Sequence, residues 1–193
     1  NKRMKSLINE KQSIYLTIDR SNVLSSSFNE LKKINNKQLL NKINIHFIGE
    51  EGIDDGGLKC EWFTLIIKEI LNPKNQLFIK SDTNNKYQPN PFSISNPDHI
   101  EYFKFAGRIF ARAIIECQYV NAHLTKSFLR QLLKHNIRFD DLKDFDEEIY
   151  KSLYKLFEID VDQIDLDFTI DVNNNNEIKT VLLNENGDEI KVT

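Results

Sequence analysis

The stretch that most constrains this chain is Asn96-Pro97-Asp98 and the residues that follow it. A capping residue, a proline at the first helical position and an acid in the first turn together specify a helix start. The spacing predicts a helix over 97–116. Ile100, Phe103, Gly107, Phe110, Ile114 and Cys117 fall on one stripe, widened by Ala106, Ile109 and Ala113. A stripe that wide has to face a core, and the small residues Ala106 and Gly107 would let another element approach closely.

A second helix, predicted over 58–71, supplies an opposing surface. Trp62, Ile66 and Ile70 share one face, with Phe63 and Ile67 beside them, and Asn72-Pro73 stops it. Trp62, Ile66, Phe103 and Phe110 are therefore expected to form the structural core. The composition can sustain one: of 193 residues, 40% are hydrophobic and 28% charged, with thirteen phenylalanines, which excludes disorder throughout.

Shorter elements surround these two. Residues 14–18 and 43–48 read as strands, the second with Ile43, Ile45 and Phe47 on one side and His46 and Ile48 on the other. Between them Ser21 or Asn22 can cap a helix bearing Leu24, Phe28 and Leu31. Residues 77–79 form a strand candidate, and 81–96, with Pro89 and Pro91, a loop with brief extended pieces. Thr125 caps a helix that points Phe128, Leu129, Leu132 and Leu133 inward. Residues 140–145 make one turn, and Asp146 opens a helix whose apolar face is Ile149, Leu153, Leu156 and Phe157. The end reads as strands over 168–170, 178–183 and 190–192, the last pair joined at Asn186-Gly187. The Asn173-Asn174-Asn175-Asn176 run is expected in an exposed loop. The sum is an α+β, predominantly helical domain without internal repeats, in sections 1–42, 43–165 and 166–193.

Several functions are excluded. A net charge of -3 without a basic stripe argues against nucleic acid as partner. No apolar run reaches membrane-spanning length. Two cysteines without a C-x-x-C pair fit a reducing, intracellular setting, cytoplasmic or nuclear. His46, His99, His123 and His135 lack ligand spacing, so no metal or cofactor is expected. Glu50, Glu51, Asp54 and Asp55 miss the calcium-loop register. They suit a helix N-terminus, where Gly56 and Gly57 supply backbone freedom. Gly49-Glu50-Glu51-Gly52 lacks the Lys-Ser/Thr of a phosphate loop. Cys60 and Cys117 are the only thiols; Cys60 lies in the first turn of a helix, but no histidine follows it closely, and both read as structural residues.

The segment from Phe47 through Gly49-Glu50-Glu51-Gly52-Ile53-Asp54-Asp55-Gly56-Gly57 to Glu61-Trp62-Phe63 resembles a signature of the HECT ubiquitin-ligase family. Further stretches match in order: Asn72-Pro73, Asn96-Pro97-Asp98-His99 with Tyr102-Phe103-Lys104-Phe105, Gly107-Arg108, Leu166-Asp167-Phe168-Thr169, and Leu183-Asn184-Glu185-Asn186-Gly187-Asp188. The resemblance implies the large subdomain of an N-lobe, with short strands and a C-terminal β-hairpin. Partners would be a ubiquitin-conjugating enzyme and ubiquitin, with protein substrates unspecified. The nucleophilic cysteine would lie beyond Thr193, so this segment would be a scaffold, inactive alone. Phe78, Lys80 and Tyr87 would mark a ubiquitin-contact region. Lys80 stands where the family often has an aromatic residue, and Cys60 where it is usually basic. The alternatives are a non-catalytic helical interaction module using 77–95, and a hydrolase using Cys60.

Overall fold

A computed structural model of the protein describes residues 2–51, 56–81, 84–159, 165–174 and 177–192. They form two compact units. The first comprises 1–80 with 85–124, and the second 81–84 with 125–193. The expected boundary at 42/43 does not separate compact units, because two strands pair across it.

The first unit opens with the short helix α1 (Lys2–Lys5), then β1 (Asn9–Ile18), α2 (Val23–Lys32) and β2 (Asn41–Phe47). β1 and β2 run parallel, with Ile14 opposite Ile43, Leu16 opposite Ile45 and Ile18 opposite Phe47. Parallel neighbours need a crossover, and α2 provides it. As the alternation predicted, Ile43, Ile45 and Phe47 are buried while His46 and Ile48 face outward. The cap before α2 differs from expectation. Asn22 stands at the N-cap position of α2 without a side-chain capping bond, and Asp19 accepts from the Ser21 backbone N–H to open a preceding 3-10 turn, Arg20–Asn22.

α3 (Gly57–Ile70) starts at Gly56, which adopts φ 95°, a left-handed conformation that a side chain would resist. Trp62, Phe63, Ile66, Ile67 and Ile70 are all buried, as the spacing required. The Trp62 indole N–H donates to Ser27 Oγ on α2 at 2.9 Å, so the largest core side chain leaves no donor unmet. β3 (Phe78–Lys80) pairs antiparallel with β4 (Tyr87–Pro89), one of the brief extended pieces in the 81–96 segment.

α4 (His99–Ile115) starts two residues later than expected, with Asp98 at the N-cap position and Pro97 before the helix, while Asn96 accepts from the Asp98 backbone N–H. Its buried face is Phe105, Ala106, Ile109, Arg112 and Ala113: Ala106, Ile109 and Ala113, on the flank of the predicted stripe, are inside, and its centre line is not. Ile100 and Ile114 are exposed, Phe103 and Phe110 only half-buried. The stripe is rotated because Arg112, 1% exposed, belongs to the inward face with Glu116. Counting apolar positions alone rejects both.

The second unit contains α5 (Lys126–Leu132), a 3-10 turn over Phe139–Asp144, α6 (Glu147–Lys155), β5 (Thr169–Asn174) and β6 (Glu177–Leu182). The caps are those expected: Thr125 accepts from Phe128 N–H, and Asp146 from Ile149 N–H. Leu129, Leu132 and Leu133 on α5, and Ile149, Leu153 and Phe157 on or after α6, are exposed instead of inward. The C-terminal hairpin is present, but it joins β5 to β6 through the asparagine run, closing at Asn174 opposite Glu177. Asn186-Gly187 joins no strand pair. Residues near the end instead lie along 166–168: Val192 N–H donates to Leu166 O, and Phe168 N–H to Gly187 O. A Cβ on Gly187 would stand 2.4 Å from Phe168 O, so only glycine fits this approach.

Candidate functional site

Three places in the first unit carry the chemistry-bearing residues. The first is the β3–β4 ribbon. Lys80 lies opposite Tyr87, and its ammonium sits 6.0 Å from the centre of the Tyr87 ring. Tyr87 is braced from the other side, since its N–H donates to His123 O at 2.7 Å. Lys80 is exposed and Tyr87 half-buried, so both present surface. Phe78 is 2% exposed and packs edge-on against Phe103, 5.5 Å between ring centres. It anchors the ribbon and is not an available contact, which corrects its place beside Lys80 and Tyr87.

The second place is a clamp centred on Arg20. Its guanidinium stacks 3.9 Å from the Phe47 ring centre and donates to both carboxylate oxygens of Glu61, at 2.7 and 2.8 Å, and to Glu50. Hydrogen bonds from Arg20 hold the Glu50 and Glu61 carboxyls below their usual range, and the same bonds raise Arg20. Glu50 thus serves Arg20 rather than a helix N-terminus. Asp54 and Asp55 lie outside the described residues. The missed residue here is Arg20, and its only signal was a run of acids needing a cation.

The third is buried. Arg112 donates twice to Glu116 Oε1, at 3.1 and 2.6 Å, and once to Leu39 O. Lys59 reaches Glu116 Oε2 at 2.9 Å. Burial pushes the Glu116 carboxyl up, but the hydrogen bonds and charges of Lys59 and Arg112 outweigh that and leave it lowered. Arg and Glu at i, i+4 are spaced to pair, but the spacing alone does not show that the pair is buried.

Neither cysteine has the surroundings of an activated nucleophile. Cys60 is exposed on α3, and among the described residues no histidine is hydrogen-bonded to it. Cys117 ends α4 at φ 54°, with its backbone N–H bonded to Ile114 O. No group of three His, Cys, Asp or Glu among the described residues could hold a metal. No described helix is long and apolar enough to cross a membrane.

Residues 64–193 match the HECT-domain (ubiquitin-transferase) family. The chain belongs to that family. It is 36% identical over 157 residues, 81% of its length, to E3 ubiquitin-protein ligase UPL2 of Arabidopsis thaliana. It is 35% identical over 186 residues, 95% of its length, to E3 ubiquitin-protein ligase HUWE1 of Mus musculus. To E3 ubiquitin-protein ligase pub1 of Schizosaccharomyces pombe it is 34% identical over 181 residues, 93% of its length. The chain spans 4%, 4% and 24% of these three relatives. The buried hydrophobic core of this HECT-domain segment, among the described residues, lies in the first unit. Trp62 and Ile66 are its fully buried centre, with Phe103 and Phe110 at the shoulder instead of inside.

Proposed function

We propose that this chain is the scaffold portion of a ubiquitin-protein ligase. In that reading ubiquitin passes from the cysteine of a conjugating enzyme to a ligase cysteine outside these residues. The ligase thiolate attacks the thioester carbonyl and the enzyme's thiolate leaves. A substrate lysine then displaces the ligase thiolate to form an amide. The work of the described residues is proximity: a stiff platform that fixes where the two thiols can meet. The observation that carries this is the family match combined with two cysteines that lack an activating base. The intracellular setting of such a ligase is part of the same proposal.

The Lys80–Tyr87 face is proposed as a ubiquitin contact. It presents a cation and an aromatic ring side by side on a ribbon braced by β3 and the 123–124 segment. The exposed helices of the second unit favour a second reading, an interaction module without a catalytic partner lobe.

The test is to mix the 193-residue chain with a conjugating enzyme charged with ubiquitin and resolve the products without reductant. No thiol-sensitive adduct on the chain is expected. An adduct lost in Cys60→Ala would overturn the scaffold reading. For the contact face, ubiquitin titrated into isotope-labelled chain should shift the amides of 79–88, and Tyr87→Ala should remove those shifts. Unmoved amides would dismiss it.

A further inference from the structure

Between α2 and α4 runs a groove of about 590 Å³. Phe28, Phe105 and Leu39 floor it, and Gly107 and Ala111 form its α4 wall. Three cations, Lys32, Lys104 and Arg108, one acid, Glu101, and the neutral Asn36 complete the lining. The rim is thus net positive on a chain whose overall charge is -3.

Two residues of the groove are only partly accounted for by the described fold. The first is Gly107. It stands in mid-helix, where glycine is unfavourable, yet a Cβ built there would meet nothing within 4 Å. No neighbour among the described residues requires its missing side chain. The second is Arg108. Its guanidinium donates to the Leu31 carbonyl at 2.8 Å and to Ile34 O, at the end of α2. Its Nε is buried and has no hydrogen-bond partner among the described residues. The carbonyls at the negative end of α2 take two of the guanidinium's donors, the Nε–H is left without an acceptor, and burial lowers the group's pKa.

We propose that this groove docks an acidic amphipathic helix of a partner protein. The helix would lay small apolar side chains over Gly107 and Ala111 and set carboxylates against Lys32, Lys104 and Arg108. Gly107 and Ala111 are spaced i, i+4, which lets two helix backbones approach closely. From Glu101 to Ala111 the wall is roughly 15 Å long, about three turns of a docked helix. The 2.7 Å Lys104–Glu101 pair is exposed and can open in favour of a partner carboxylate. Lys32, 5.7 Å from the centre of the Phe28 ring, lies over the apolar floor with its charge in water.

The test uses a fluorescein-labelled, alanine-leucine helical peptide of roughly 16 residues with glutamates flanking its apolar face. A counterpart carries lysines at those positions. Anisotropy titration into the 193-residue chain should show the acidic peptide binding at least about tenfold tighter than the basic one. Gly107→Phe, which fills the groove, should weaken the acidic peptide by about tenfold or more. Lys32→Glu with Lys104→Glu, both at exposed positions, should reverse the preference, and this holds the proposal to account should Gly107→Phe fail to fold. Equal binding of the two peptides, or no reversal in the double variant, would overturn the proposal. So would sedimentation showing that the chain pairs with itself through the groove, since the occupant would then be a second copy.

Discussion

The two units of this protein spend the same kind of sequence pattern differently. Every buried hydrophobic side chain among the described residues lies in the first unit, from Leu16 to Ala113. The second unit has amphipathic helices of equal quality, yet Leu132, Leu133 and Phe157 are 60%, 68% and 74% exposed. It is held by a half-exposed aromatic cluster of Phe139, Tyr150, Tyr154 and Phe157 and by local polar devices. Thr125 and Asp146 cap helices, Arg130 pairs with the buried Asp141, and Ser81 Oγ donates to Phe145 O. The contrast teaches that periodicity creates an apolar face but not a core. A face becomes core only where another element opposes it, as α3 and α2 do across Trp62 and Ser27.

The sharpest way to break this comparison is at Trp62. Trp62→Ala should destabilise the first unit by about 3–5 kcal/mol in chemical denaturation followed by circular dichroism. A loss under about 1 kcal/mol would mean the first unit has no more of a core than the second.

Next in size is Glu116→Gln, which leaves Arg112 and Lys59 without their carboxylate and should cost about 3 kcal/mol. The pH dependence follows from the sign of the shift. The folded carboxyl is lowered, so its contribution is full above the ordinary carboxylate range. It is lost as pH falls through the lower folded value. Trp62 fluorescence, the only tryptophan signal, should therefore show acid destabilisation that is shallower in Glu116→Gln. Parallel acid profiles would remove Glu116 from the account.

In the second unit the largest effect should come from Gly187→Ala, about 2 kcal/mol, since the new Cβ meets backbone and not a yielding side chain. Amide exchange at Phe168 and Leu183 should accelerate while the Trp62 transition stays put. Unchanged exchange would show that this approach does not hold the unit together.

The smallest effect tests the exposed face directly. Leu133→Ala should change stability by no more than about 0.5 kcal/mol, whereas Ile66→Ala should cost about 2–5 kcal/mol. Similar losses at both positions would erase the distinction between the units.

The same contrast explains what could be read in advance. Trp62, Ile66 and Ile70 were legible because a fully buried helix face is almost wholly apolar, and their spacing fixes the face. α4 was legible in extent but not in rotation, because its inward face includes Arg112 and Glu116, and a buried charge is recognised only with its partner Lys59 in view. Within the candidate contact face, Lys80 and Tyr87 remain at the surface while Phe78 turns inward. Alternation along a three-residue strand cannot separate those fates. The Arg20 clamp joins positions 30 and 41 residues apart, beyond the reach of any local pattern.

By itself the sequence determined the helix starts at Thr125 and Asp146, the stop at Asn72-Pro73, the inward side of β2 and membership of the HECT-domain family. These rest on hydrogen-bonding and steric rules that act within a few residues, or on motifs that keep their order. Only the tertiary structure decided that β1 and β2 lie parallel, that the hairpin closes at the asparagine run, that Gly187 abuts Phe168, and which amphipathic faces are covered. Those outcomes depend on which distant surfaces meet, and burial is a property of the pair, not of either segment alone.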